Sequence, residues 1–116
     1  MAAVVSASTL SGDRVRDSQG QHLGRIEEFM LDVDTGRIAY AVLSFGGVLG
    51  VGDKLFAVPP DALRLDAEKG CFVLNVDRKT LENAPGFAKD NWPNFADRTF
   101  GTQIYSYYRR RPYWTS

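Results

Sequence analysis

Gly36-Arg-Ile-Ala-Tyr-Ala-Val-Leu-Ser-Phe-Gly-Gly-Val-Leu-Gly-Val-Gly-Asp53 is the stretch around which the chain is organised. From Ile38 to Phe45, the side chains Ile38, Tyr40, Val42 and Ser44 alternate with Ala39, Ala41, Leu43 and Phe45. Both sets are mostly apolar, whereas a strand with one wet face alternates polar with apolar residues. The spacing therefore predicts a strand covered on both sides. Asp34-Thr35-Gly36 before it reads as a hairpin turn, with Gly36 free to take positive φ. The antiparallel partner is then His22 to Val33. One face of the central strand lines a core, and a second element must cover the other.

Working outward, 116 residues fit one domain, long enough to bury roughly 65% of the unfolded surface without staples. Lys plus Arg equals Asp plus Glu at 14 each, so no global field draws the chain to nucleic acid or membrane. Cys71 is the single cysteine, which excludes an internal disulfide and fits a reducing compartment. Met1 to Val5 is short for a signal peptide, and no apolar run approaches a membrane span. The expectation is a soluble cytoplasmic protein without a membrane span.

Charge and aromatic content are unevenly placed. From Phe87 onward, Lys89, Arg98, Arg109, Arg110 and Arg111 face only Asp90 and Asp97, which gives +3 and leaves −3 for residues 1–86. Nine of the 14 aromatics also lie there. Left in water they would form a far larger apolar patch than a monomer usually tolerates. They must pack on this chain's own body or on another chain.

Along the chain, short strands are expected at Arg14 to Asp17, Leu23 to Val33, Ile38 to Phe45, Lys54 to Val58, Leu63 to Asp66 and Phe72 to Val76. Alternation slips in the second of these, where Gly24 or Glu27-Glu28 marks a bulge. Asp77 is placed to cap a short helix ended by Pro85-Gly86. Asn94 or Asp97 is placed to cap a second helix reaching about Tyr108, with Phe100, Ile104, Tyr107 and Tyr108 on one stripe. Gly101 weakens it by about 1 kcal/mol relative to Ala. Six short strands with turns between them predict a mainly β fold, a small six-stranded antiparallel barrel with a helical, aromatic-rich C-terminal extension.

Gly12 to Asp17, Gly20 to Ile26, Asp32 to Phe45 and Lys54 to Val58 together resemble the PRC-barrel family. The resemblance spans residues 6–80 and leaves 81–116 as the extension. The chain looks like the stand-alone bacterial members, a barrel plus an aromatic C-terminal extension. It is also similar to the cytoplasmic domain of the photosynthetic reaction-centre H subunit and the C-terminal domain of the ribosome-maturation factor. Those relatives work by binding macromolecules, so the resemblance implies docking rather than catalysis. It carries over no functional residue.

Gly47 and Gly52 have the glycine spacing of a phosphate loop, but Asp53 stands where lysine belongs and Leu55 where Ser or Thr would bind magnesium. An apolar turn is preferred, whose Val48 and Leu49 are candidates to insert into a partner. Asp32 to Gly36 begins like a calcium loop but has Arg37 at the glycine position. His22 is the only histidine, and no general base and nucleophile pair stands out. The expectation is a non-enzyme with no cofactor or metal.

The remaining candidate is an interface. It comprises Tyr40, Val48, Leu49, Trp92, Phe95, Phe100, Tyr105, Tyr108, Arg109, Arg110, Arg111, Tyr113 and Trp114. Tyr, Trp and Arg are enriched at protein interfaces. The expected partner is a second copy, giving a homo-oligomer, or another protein. The arginines also suit an RNA- or ribosome-associated factor, the first alternative, and the aromatics a small-molecule pocket, the second. Nucleic acid is disfavoured, because a neutral chain shows no second basic cluster.

Overall fold

The structure, a computed structural model, describes residues 4, 6–45, 54–66 and 70–115. A short helix α1 (Ala7–Leu10) is capped by the Ser6 side chain. Then come β1 (Arg14–Arg16), β2 (His22–Asp32), β3 (Arg37–Ser44), β4 (Lys54–Val58), a 3-10 turn at Pro60–Ala62, β5 (Leu63–Asp66) and β6 (Cys71–Leu74). The C-terminal part holds α2 (Arg78–Glu82), β7 (Phe87–Ala88) and α3 (Arg98–Tyr107). Asp77 caps α2 and Asp97 caps α3, each carboxylate accepting from a backbone N–H of the first turn.

The six expected strands form, but not as a six-stranded antiparallel barrel. They join one mixed sheet of seven strands in the order β5-β6-β1-β2-β3-β4-β7. β6 runs parallel to β1, and the sheet is not closed. The physical reason is long-range. After β4 the chain crosses to the free side of β1, and the β5–β6 hairpin delivers β6 alongside β1 in the same direction. Local alternation carries no information on that pairing. β7 is two residues long and leaves no pattern to read; it pairs with Lys54 and Leu55 on β4.

The β2–β3 hairpin is the frame. Gly36 takes φ +77° in the turn, as the Asp-Thr-Gly sequence requires. Pairing of β2 with β3 shifts between Ile26 and Glu28 and again between Met30 and Leu31, which explains the broken alternation. Gly24 has a different role: a Cβ there would land on the backbone carbonyl of Ser44, so only glycine lets the strands approach.

β3 is covered on both faces, and the structure shows by what. Leu43, Phe45 and the neighbouring Phe56 and Val58 join the core with Leu23, Ile26, Val15 and Leu74. Tyr40, on the opposite face, is covered by this chain's own extension. Its ring lies 5.3 Å from Phe95, 5.9 Å from Phe100 and 5.7 Å from Tyr105. The Tyr105 hydroxyl donates to the Ala39 carbonyl at 2.6 Å. A Cβ on Gly101 would come within 2.6 Å of both the Tyr40 hydroxyl and the Trp114 ring. The helix-weakening glycine therefore leaves room on α3 for the Tyr40 hydroxyl and the Trp114 ring.

Candidate functional site

The aromatic residues expected at an interface are mostly internal. Tyr40, Tyr105 and Tyr108 are buried, and Phe95, Phe100, Tyr113 and Trp114 are half-buried against the core. Burial pushes the Tyr40 phenol up to about 12 and raises those of Tyr105 and Tyr108 further. The Tyr113 hydroxyl donates to Asp32 at 2.5 Å and the Arg37 guanidinium to the Tyr113 carbonyl at 3.0 Å, which ties the chain end to the hairpin. The Tyr113 hydrogen bond, with the Asp34 and Thr35 N–H groups, holds the Asp32 carboxyl below its usual range. Arg98 lies 4.3 Å above the Trp114 ring. Trp92 donates to the Lys89 carbonyl, packs on Phe87 and keeps an exposed edge. Val48 and Leu49 lie outside the described residues.

Arg109, Arg110 and Arg111 differ from all of these. Among the described residues their guanidinium groups make no hydrogen bond, ion pair or ring contact; the ion pair present is Arg78 with Glu82 at 3.6 Å. Local geometry sets where they point. α3 ends with the Arg109 N–H bonded to the Ser106 carbonyl and the Arg110 N–H to the Tyr105 carbonyl. That double bond pattern is a Schellman cap, which calls for a left-handed residue just past the helix, usually glycine. Here Arg109 takes that position at φ 57°. An L side chain there costs about 1 kcal/mol or more. The chain holds a strained arginine where glycine would relax it.

Arg109 and Arg110 border a groove of about 630 Å³, whose other wall runs from Asn75 to Thr80 with Ala62. Arg110 also borders an adjoining recess of about 400 Å³ with Arg64, Ser18 and Asp61. Asp77 faces the first groove while capping α2, and Tyr107 closes its wall by donating to the Thr80 carbonyl at 2.5 Å. Three arginines against two carboxylates leave the paired recesses cationic. Tyr108 lines the groove too, and its buried hydroxyl has no hydrogen-bond partner among the described residues.

A model of the PRC-barrel domain matches residues 3–81. The chain belongs to the PRC-barrel family. Among curated proteins no relative matches it. The groove thus lies across a boundary: Ala62 and Asn75 to Thr80 come from the matched PRC-barrel segment, and Tyr107 to Arg110 from the extension beyond it.

Two features escaped sequence reasoning. Arg14, Arg16, Arg25 and Arg78 surround His22, and, after burial, their charges hold its imidazole below the usual range. This second basic cluster is assembled from β1, β2 and α2, so no run of the sequence displays it. Its arginines are partly engaged: Arg16 donates to Gly20, Arg25 to Gly12 and Arg78 to His22 backbone carbonyls. The other feature is the hairpin surface, where Leu31 is 59%, Val33 84% and Ile38 42% exposed. The pairing shifts between Met30 and Leu31, with Phe29 half-buried and Leu31 exposed. No helix among the described residues is long and apolar enough to cross a membrane.

Proposed function

We propose that this PRC-barrel protein is a non-enzymatic docking or assembly module of the cytoplasm. Its docking site is the arginine groove at the end of α3, and it takes an acidic protein surface, that of a second copy included. The carrying observation is Arg109, kept in a left-handed cap position that glycine would relax and, among the described residues, left without a side-chain partner beside two further unpaired arginines. Strain that a fold retains at an exposed charged residue favours a role outside folding. The groove is concave and cationic, which supports charge-steered protein association. The test is the mass of the chain by light scattering across dilution and salt series. Association that weakens with salt and is lost in Arg109→Gln/Arg110→Gln/Arg111→Gln supports the reading; an associating wild type whose mass that variant leaves unchanged rejects it.

A second reading, an RNA-associated factor, gains support from the arginine cluster around His22. It expects salt-sensitive RNA binding that falls when Arg14, Arg16 and Arg25 become Gln. The engaged state of those guanidiniums favours the protein reading over it.

A further inference from the structure

We infer that the occupant of the arginine groove is the acidic tip of the β2–β3 hairpin of a second copy, an inference that rests on the docking reading above. The hairpin carries Glu27, Glu28, Asp32 and Asp34 between Arg25 and Arg37. Among the described residues none of these acids forms an ion pair; Asp32 is held by Tyr113 and by its own turn, while Glu27, Glu28 and Asp34 are exposed. Between them stand the exposed Leu31, Val33 and Ile38. Among the described residues β2 has no strand partner on its outer side beyond Ile26, whose backbone bonds Gly12 and Asp13. A hairpin edge with exposed acids and exposed apolar side chains is the complement of a concave cationic groove with Ala62 and Val76 in its lining.

The two surfaces are separate on one chain. The hairpin borders a cavity with Phe95 and Tyr113, which shares no residue with the groove at Arg109 and Arg110. One copy therefore leaves both unfilled, and two copies related by a two-fold axis satisfy both twice. Pairing hairpin with hairpin is the poorer alternative. Antiparallel contact of two β2 edges centred on Met30 would set Glu28 against Asp32 twice, and like charges directly opposite destabilise a pair.

A charge-swap experiment decides the matter. Arg109→Glu/Arg110→Glu and Glu28→Lys/Asp34→Lys are prepared in the full chain, and light-scattering mass is read for each alone and for their mixture, with melting curves as a check on folding. The expected result is a wild-type dimer, a dissociation constant raised on the order of a hundredfold in each variant alone, and a dimer regained on mixing. Regained dimer also shows that both variants fold. If the arginine variant loses association while the hairpin variant keeps it, the hairpin assignment falls and the docking reading stands. If both variants associate like the wild type, both fall. If the wild type is a monomer at every concentration, the inference falls, and the docking reading is judged by whether a Glu/Leu alternating peptide binds the wild type but not the arginine variant.

Discussion

The two ends of α3 do opposite things. At its start and middle, Phe95, Phe100, Gly101 and Tyr105 are drawn into the fold as the second cover of β3. At its end, Arg109 to Arg111 touch nothing among the described residues that neutralises them. The folding surface runs along α3 to Tyr105, within one helical turn of the arginines built for contact. The difference teaches that a tail rich in both aromatics and arginines is not one functional unit. Its rings complete the core, and its charges remain for a partner.

The largest expected effect sharpens the folding half. Tyr40→Ala removes the ring on which three extension aromatics converge, and the melt should show a loss of about 3–5 kcal/mol, with the extension loosened. Tyr105→Phe keeps the ring but deprives the buried Ala39 carbonyl of its donor, with an expected loss of about 1–3 kcal/mol in denaturant unfolding. The same tyrosines set the alkaline limit. The unfolded chain ionises them near pH 10, whereas the folded chain keeps Tyr40 neutral to about 12. In that window the unfolded state holds fewer protons, so stability falls as pH rises and is intact below pH 10. A pH series of unfolding midpoints that stayed flat from pH 9 to 12 would contradict the burial.

Smaller effects sharpen the contact half. Arg109→Gly relaxes the left-handed cap and should raise stability by up to about 1 kcal/mol while weakening association. Tyr108→Phe removes a buried hydroxyl that has no partner among the described residues, and is expected to be neutral or to stabilise by about 1 kcal/mol. A loss comparable to that of Tyr105→Phe would show that the Tyr108 hydroxyl is engaged.

Much of the fold was legible where the signal was local. The doubly apolar run at Ile38 to Phe45, the Asp-Thr-Gly turn, the Asp77 and Asp97 caps and the slip in β2 all have short-range causes, and each is found. What was not legible is long-range. Val15 beside Phe72 in a parallel pair, and the open order of the sheet, depend on where the β5–β6 hairpin lands. The site divides in the same way. Arg109 to Arg111 could be named from sequence, but not the cap that strains Arg109 or the wall from Asn75 to Thr80. The cluster around His22 was invisible because its arginines are contiguous only in space.

The central claim, that the rings of the extension fold the chain and its arginines dock it, is tested most directly by one pair of readings on Arg109→Gln/Arg110→Gln/Arg111→Gln. Melting and light-scattering mass are taken on the same sample beside the wild type. The expected result is a stability within about 0.5 kcal/mol of the wild type, together with a fall to monomer mass at concentrations where the wild type is associated. A variant that melts early but keeps the wild-type mass would place the arginines in the fold and contradict the claim.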